Sequence, residues 1–120
     1  MNAAPIGGMQ TIQSSPVVEH AISLVELARP LVDAVQRRDR DLASQLRRAI
    51  SSISLNLAEG LGNGPGNARL RFQTALGSLR EVQAGIRVAV GWGYISPASA
   101  QSTLQSLHVL GGRVFGLVRR

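Results

Sequence analysis

Apolar residues recur at steps of three and four along most of this chain, and no segment alternates with period two. Four segments carry the pattern, which predicts helices over about residues 17–36, 42–59, 68–92 and 97–120. In the first, Leu24, Ala28, Leu31, Val32 and Val35 share one face, while Glu19, Glu26, Pro30 and Asp33 fall opposite; Pro16 after Ser15 suits the first turn. The second is expected to bury Leu42, Leu46, Ala49, Ile50, Ile53 and Leu57. Leu55 points almost directly away from these, with Ser51 and Ala58 beside it; it is either a lone exposed leucine or a contact with another subunit. The third presents Phe72, Leu76, Leu79, Val82, Ile86 and Val90, and the fourth Leu104, Leu107, Leu110, Val114 and Val118. Four amphipathic helices on short links most economically form an all-α, antiparallel up-down four-helix bundle.

The links carry the expected punctuation. In "RRDRD", residues 37–41, Asp39 or Asp41 is placed to cap the second helix. In "GWGYIS", residues 91–96, glycine stops the third helix, and Ser96 followed by Pro97 is a natural start for the fourth. The glycine-rich stretch of residues 60–66 raises the possibility of a phosphate-cradling loop. A Walker loop needs G-x-x-x-x-G-K-[ST] and a dinucleotide fingerprint needs a preceding strand, and neither is present. The expectation is therefore a connector in which Gly60 ends the second helix and Asn67 caps the third.

At 120 residues and 44% apolar content, the chain suffices for one domain with a modest core. Residues 1–15 are expected to form a flexible leader and 16–120 the bundle domain. With no cysteine there is neither a disulfide framework nor a thiolate metal site, and a cytoplasmic protein is the default expectation. No stretch is continuously apolar for the ~18 residues a membrane span needs, so no membrane association is expected.

Charge changes the picture more. All 13 basic side chains are arginine, against 7 acids, for a formal net charge of +6. Arginine makes planar, bidentate contacts with phosphate or carboxylate, which is compatible with a nucleic-acid partner. Arg69, Arg80 and Arg87 are spaced by near-whole helical turns and form one stripe roughly 27 Å long on the third helix. Arg69 and Arg71 lie in what are expected to be its first turns, where the helix dipole disfavours cations and a bound phosphate would welcome them. Arg47 and Arg48 add charge on the second helix. The competing reading is a solvated face. The aromatics, Phe72, Trp92, Tyr94 and Phe115, are few and fall mostly where a core wants them, which argues against base stacking. His20 and His108 are isolated, the acids are scattered, and no metal spacing occurs, so no catalytic residues, no metal and no cofactor are expected, and the protein is not expected to be an enzyme.

The segments "QLRRAISSISLNLAEG" (residues 45–60) and "RFQTALGSLREVQ" (71–83), followed by "GYIS", resemble the four-helix-bundle family of large-subunit ribosomal RNA intervening-sequence proteins. Its pattern S-I-x-x-N-[IL]-A-E-G falls on 52–60, and R-F-x-x-[AI]-x-G-S-L-x-E on 71–81. The resemblance implies a non-enzymatic bundle assembling as a ring-shaped homopentamer. It also implies kinship with the accessory variability proteins of diversity-generating retroelements, basic pentameric barrels that bind nucleic acid and a reverse transcriptase. On that footing Asn56, Glu59, Gly60, Ser78 and Glu81 are the motif's structural positions, better suited to inter-helix hydrogen bonds than to chemistry. Leu55 and Ala58 become oligomer-interface candidates. Two functions are then expected to compete: an oligomeric bundle that binds RNA or DNA through phosphates at Arg47, Arg48, Arg69, Arg71, Arg80 and Arg87, or a scaffold for a protein partner with no nucleic-acid role.

Overall fold

The computed structural model of the protein describes residues 15–62 and 64–120, so the expected leader falls almost wholly outside the described residues. Four helices follow in order: α1 Pro16–Gln36, α2 Arg40–Leu61, α3 Pro65–Gly91 and α4 Pro97–Arg119. Each packs against the next in sequence, and α4 closes the square onto α1. Neighbouring helices run in opposite directions. Tyr94, just past the end of α3, reaches Asp39 at the start of α2, and His20 near the start of α1 meets Ser106 and Arg113 in the middle and second half of α4.

The core is the apolar stripe of each helix. Leu24, Val35, Ile53, Leu57, Leu79, Val82, Ile86, Leu107, Leu110 and Val114 are almost fully buried, each side chain contributing about 1.5–3 kcal/mol of transfer free energy. Leu42, Val90, Leu104 and Val118, expected in the core, are only partly buried at its margin. Ala21, Ala28, Ala43, Ala75, Ala89 and Ala100 are all inaccessible within the bundle.

Helix starts follow local chemistry. Asp39 is the residue that caps α2, its Oδ1 accepting from the Leu42 N–H at 3.0 Å. Ser96 caps α4 in the same way, accepting from the Ser99 N–H at 3.1 Å, with Pro97 first in the helix. The α2–α3 connection departs from expectation at both ends. Helix α2 runs on to Leu61, with Gly62 at its C-cap, so Gly60 lies inside the last turn. Helix α3 begins three residues early, at Pro65, with Gly64 in extended conformation as its N-cap. Asn67 is therefore within the first turn and is not the cap. A proline needs no N–H partner at the first helical position, so the Gly64–Pro65 pair starts the helix where a run of glycines reads as loop. Only residues 62–64 are left as the link.

Candidate nucleic-acid interface

Helix α3 has its α2-facing edge fixed by two contacts. Ser78 Oγ hydrogen-bonds Ser52 Oγ at 2.8 Å, and the backbone at Gly85 comes so near Leu46 that an added Cβ would lie 2.7 Å from Leu46 Cδ2. Arg69, Arg80 and Arg87 lie roughly 160–200° around the helix from Ser78, on the outer edge that borders α4. All three are exposed, and none has a hydrogen-bond or ion-pair partner among the described residues. Gln73 is exposed and Gln83 half-buried on the same side.

The surroundings of this stripe are unevenly charged. Residues 15–62 carry six arginines and six acids, whereas 64–120 carry seven arginines and a single acid, Glu81. The whole net charge of +6 thus belongs to the α3–α4 half, and α4 contains no acid at all. Because α3 begins at Pro65, Arg69 sits in the second turn rather than the first, and the dipole argument for a phosphate at that helix end loses its footing.

The other arginines proposed from sequence do not join the stripe. Arg71 lies in the α2–α3 seam, its Nη2 2.9 Å from Glu59 Oε1 and its Nη1 donating to Asn56 Oδ1 at 3.4 Å. Arg47 donates to Gln36 and lies 3.5 Å from Asp33 on α1. Arg48 is exposed and, with Arg47, Ser51, Ser52, Leu55 and Asn56, borders a shallow depression on α2. The basic residues therefore form an α3 stripe, an α2 pair and one seam residue.

The sequence motif is the seam itself. Asn56 Nδ2 donates to both the carbonyl and the hydroxyl of Ser52 at 2.9 Å, its Oδ1 accepts from Arg71, and Ser52 continues to Ser78. Gly60 lets Phe72 come down on the last turn of α2: a Cβ there would lie 2.6 Å from Phe72 Cε1. Glu81 is exposed and stands outside this network. Leu55 is 66% exposed, and Ala58 is half-buried against the core.

Aromatic placement corrects the expectation. Phe72 is in the core, but Trp92 is 68% exposed and Phe115 45%. Trp92 stacks near-parallel with Tyr94, ring centroids 6.4 Å apart at 16°, and the Arg38 guanidinium lies 5.5 Å from the Tyr94 centroid. Tyr94 Oη donates to Asp39 Oδ2 at 3.3 Å. Burial and the Asp39 carboxylate push that hydroxyl above its usual range. On a helical projection Trp92 already falls off the buried face of α3, so the signal was in the register and was masked by residue type.

His20 is half-buried at the α1–α4 seam. Its Nδ1 accepts from Arg113 Nη1 at 3.0 Å and its Nε2 lies 3.2 Å from Ser106 Oγ, an arrangement that suits a neutral ring protonated on Nε2. Among the described residues no three His, Asp or Glu side chains are grouped to hold a metal, and no helix is long and apolar enough to cross a membrane. Neither a curated protein nor a solved structure matches the chain. A family model does, over residues 13–115, which takes in α1, α2 and α3, most of α4 and the whole α2–α3 motif seam: the chain belongs to the 23S rRNA-intervening sequence protein family.

Proposed function

We propose that the protein is a non-enzymatic, self-associating basic bundle of the cytoplasm that binds nucleic acid through phosphate contacts made by Arg69, Arg80 and Arg87, with Arg48 as a secondary contact. The observation that carries this reading is three arginines, without partners among the described residues, aligned on the half of the molecule that holds its entire net charge. A solvated face needs no such segregation, whereas a polyanion does. The family's description, drawn from 23S ribosomal RNA, favours RNA. Arg71 and Arg47 contribute less, since part of their charge is already met within the chain.

Self-association is supported by apolar surface on α1 and α2. Two adjoining depressions share Arg47 and Ser51, with Val25 and Ile50 on one and Leu55 on the other. A ring-shaped homopentamer, the assembly implied by the family resemblance, would repeat the α3 stripe around an axis, so that weak phosphate contacts act together. This apolar surface also favours the second reading, a scaffold for another protein such as a reverse transcriptase.

Fluorescence anisotropy with labelled single- and double-stranded RNA across a salt series separates the two. The expected result is binding at low salt whose log–log salt slope falls by about 0.7–0.9 for each phosphate contact removed in Arg80→Ala with Arg87→Ala. An unchanged slope and affinity in that double variant would remove the stripe from the function.

A further inference from the structure

We infer that the end of the bundle formed by the 37–39 and 92–96 links carries a base-stacking platform for single-stranded nucleic acid, built on Trp92 and Tyr94 and flanked by Arg37, Arg38 and Arg40. This rests on the nucleic-acid reading above and adds to it a contact with bases, which the α3 stripe does not supply.

Trp92, 68% exposed in a small domain, has a large apolar face in water, and it stands on an ordered backbone with its ring beside Tyr94. The backbone N–H of Trp92 donates to the Val88 carbonyl at 2.9 Å, that of Gly93 to Val90 at 2.9 Å and that of Tyr94 to Ala89 at 2.9 Å. Gly93 takes φ of 79°, a conformation that suits glycine, and this turns the chain so that residues 92 and 94 bring their rings parallel. Ile95, only 7% exposed, anchors the link from below. Tyr94 is tied through its hydroxyl to Asp39, whose other oxygen caps α2, so the phenol is fixed to the start of a neighbouring helix. The backbone of the link and the Tyr94 ring are thus held before any ligand arrives, which removes part of the entropic cost of binding.

Its chemistry selects the ligand. Flat aromatic faces beside guanidinium groups suit bases that can be unstacked and a backbone that carries phosphate, the combination used for single strands. Arg37 and Arg40 are exposed and have no partner among the described residues, and Arg38 lies over Tyr94. Two carboxylates at this end, Asp39 and Asp41, oppose a polyanion; the three arginines outnumber them, and both Asp39 oxygens are turned inward to the Leu42 N–H and the Tyr94 hydroxyl. A duplex hides its base faces and would reach the arginines alone.

Trp92 is the sole tryptophan, so its emission reports this end of the molecule without labelling. The test titrates the full-length chain with a single-stranded oligoadenylate, with an abasic sugar–phosphate strand of equal length and with a duplex. The expected result is the emission of a water-exposed indole in the free protein, quenching by oligoadenylate and no quenching by the abasic strand. Trp92→Ala should weaken oligoadenylate binding about tenfold, the order contributed by one stacked base, while leaving the abasic strand and duplex unaffected. Trp92→Phe should recover part of the loss. If oligoadenylate binds without quenching, or Trp92→Ala binds it as well as wild type, the platform is wrong while the phosphate reading stands. If none of the probes binds at low salt, both are wrong.

Discussion

Gly60 on α2 and Phe72 on α3 touch backbone to ring: an added Cβ at Gly60 would sit 2.6 Å from Phe72 Cε1, 2.9 Å from Cδ1 and 3.2 Å from Arg71 Cβ. Phe72 is only 7% exposed and has little room to yield. Gly60→Ala therefore sets an overpacking cost of about 1–3 kcal/mol against a gain in helix propensity of about 1 kcal/mol, with a net loss of stability expected. Gly77, on the outer side of α3 with nothing within 4 Å of its missing Cβ, is the control. There the propensity gain acts alone, and Gly77→Ala should raise stability by about 0.5–1 kcal/mol. Urea denaturation of the two variants checks both signs.

The hydrogen bonds that join Ser52, Asn56, Arg71 and Ser78 are expected to act as one unit. Asn56→Ala removes the link between the α2 backbone and the Arg71 guanidinium and should cost about 1 kcal/mol, with measurable coupling to Arg71→Ala in a double-mutant cycle. Glu59→Gln weakens an exposed ion pair and should cost no more than about 0.5–1 kcal/mol. Additive losses for Asn56 and Arg71 would mean that the motif is held by something other than this seam.

Burial, and then the nearby Arg113 guanidinium, lower the pKa of His20 from its ordinary value of 6.5. The folded state then binds fewer protons than the unfolded state between the lowered value and 6.5. The contribution of the neutral ring is fully present above that window and is lost as pH falls through it. Thermal melts from pH 7.5 to pH 5 should show the wild type losing more stability than His20→Gln, which keeps polar atoms near Ser106 but cannot titrate. Equal slopes would place the His20 interaction outside the folding equilibrium.

Leu55 is the most exposed aliphatic side chain on α2 and borders the depression that also holds Arg48. Light scattering of the wild type at micromolar concentration should report an assembly, and Leu55→Glu should shift it toward monomer without altering helix content. A wild type that is monomeric would remove the ring.

What the sequence disclosed follows from the range of the physics involved. The buried faces of all four helices were legible because a repeat of 3.6 residues is written along the chain, and the Asp39 and Ser96 caps because they act within three residues. The start of α3 was not, since no apolar residue between Leu61 and Ala68 carries the repeat, and Gly64–Pro65 reads as a turn as readily as a start. The spacing of Arg69, Arg80 and Arg87 aligned them on one face in advance, whereas the pairing of Arg71 with Glu59 depends on how two helices cross and is not written in either one. Trp92 was misplaced for a different reason: the usual burial of its residue type overrode a register that already pointed it outward.

The division of charge between the helix pairs makes the protein an electric dipole directed across the bundle, from a neutral α1–α2 side to an α3–α4 side that holds +6. A uniformly charged body is only drawn toward a polyanion, but a dipole also feels a torque. Approaching a nucleic acid, it would rotate within about a Debye length, roughly 10 Å at 0.1 M salt, so that collisions arrive with α3 leading. A variant that moved two of these charges to α1 at constant net charge would keep the attraction and lose the orientation. It would associate more slowly at low salt, with the difference fading as salt rises.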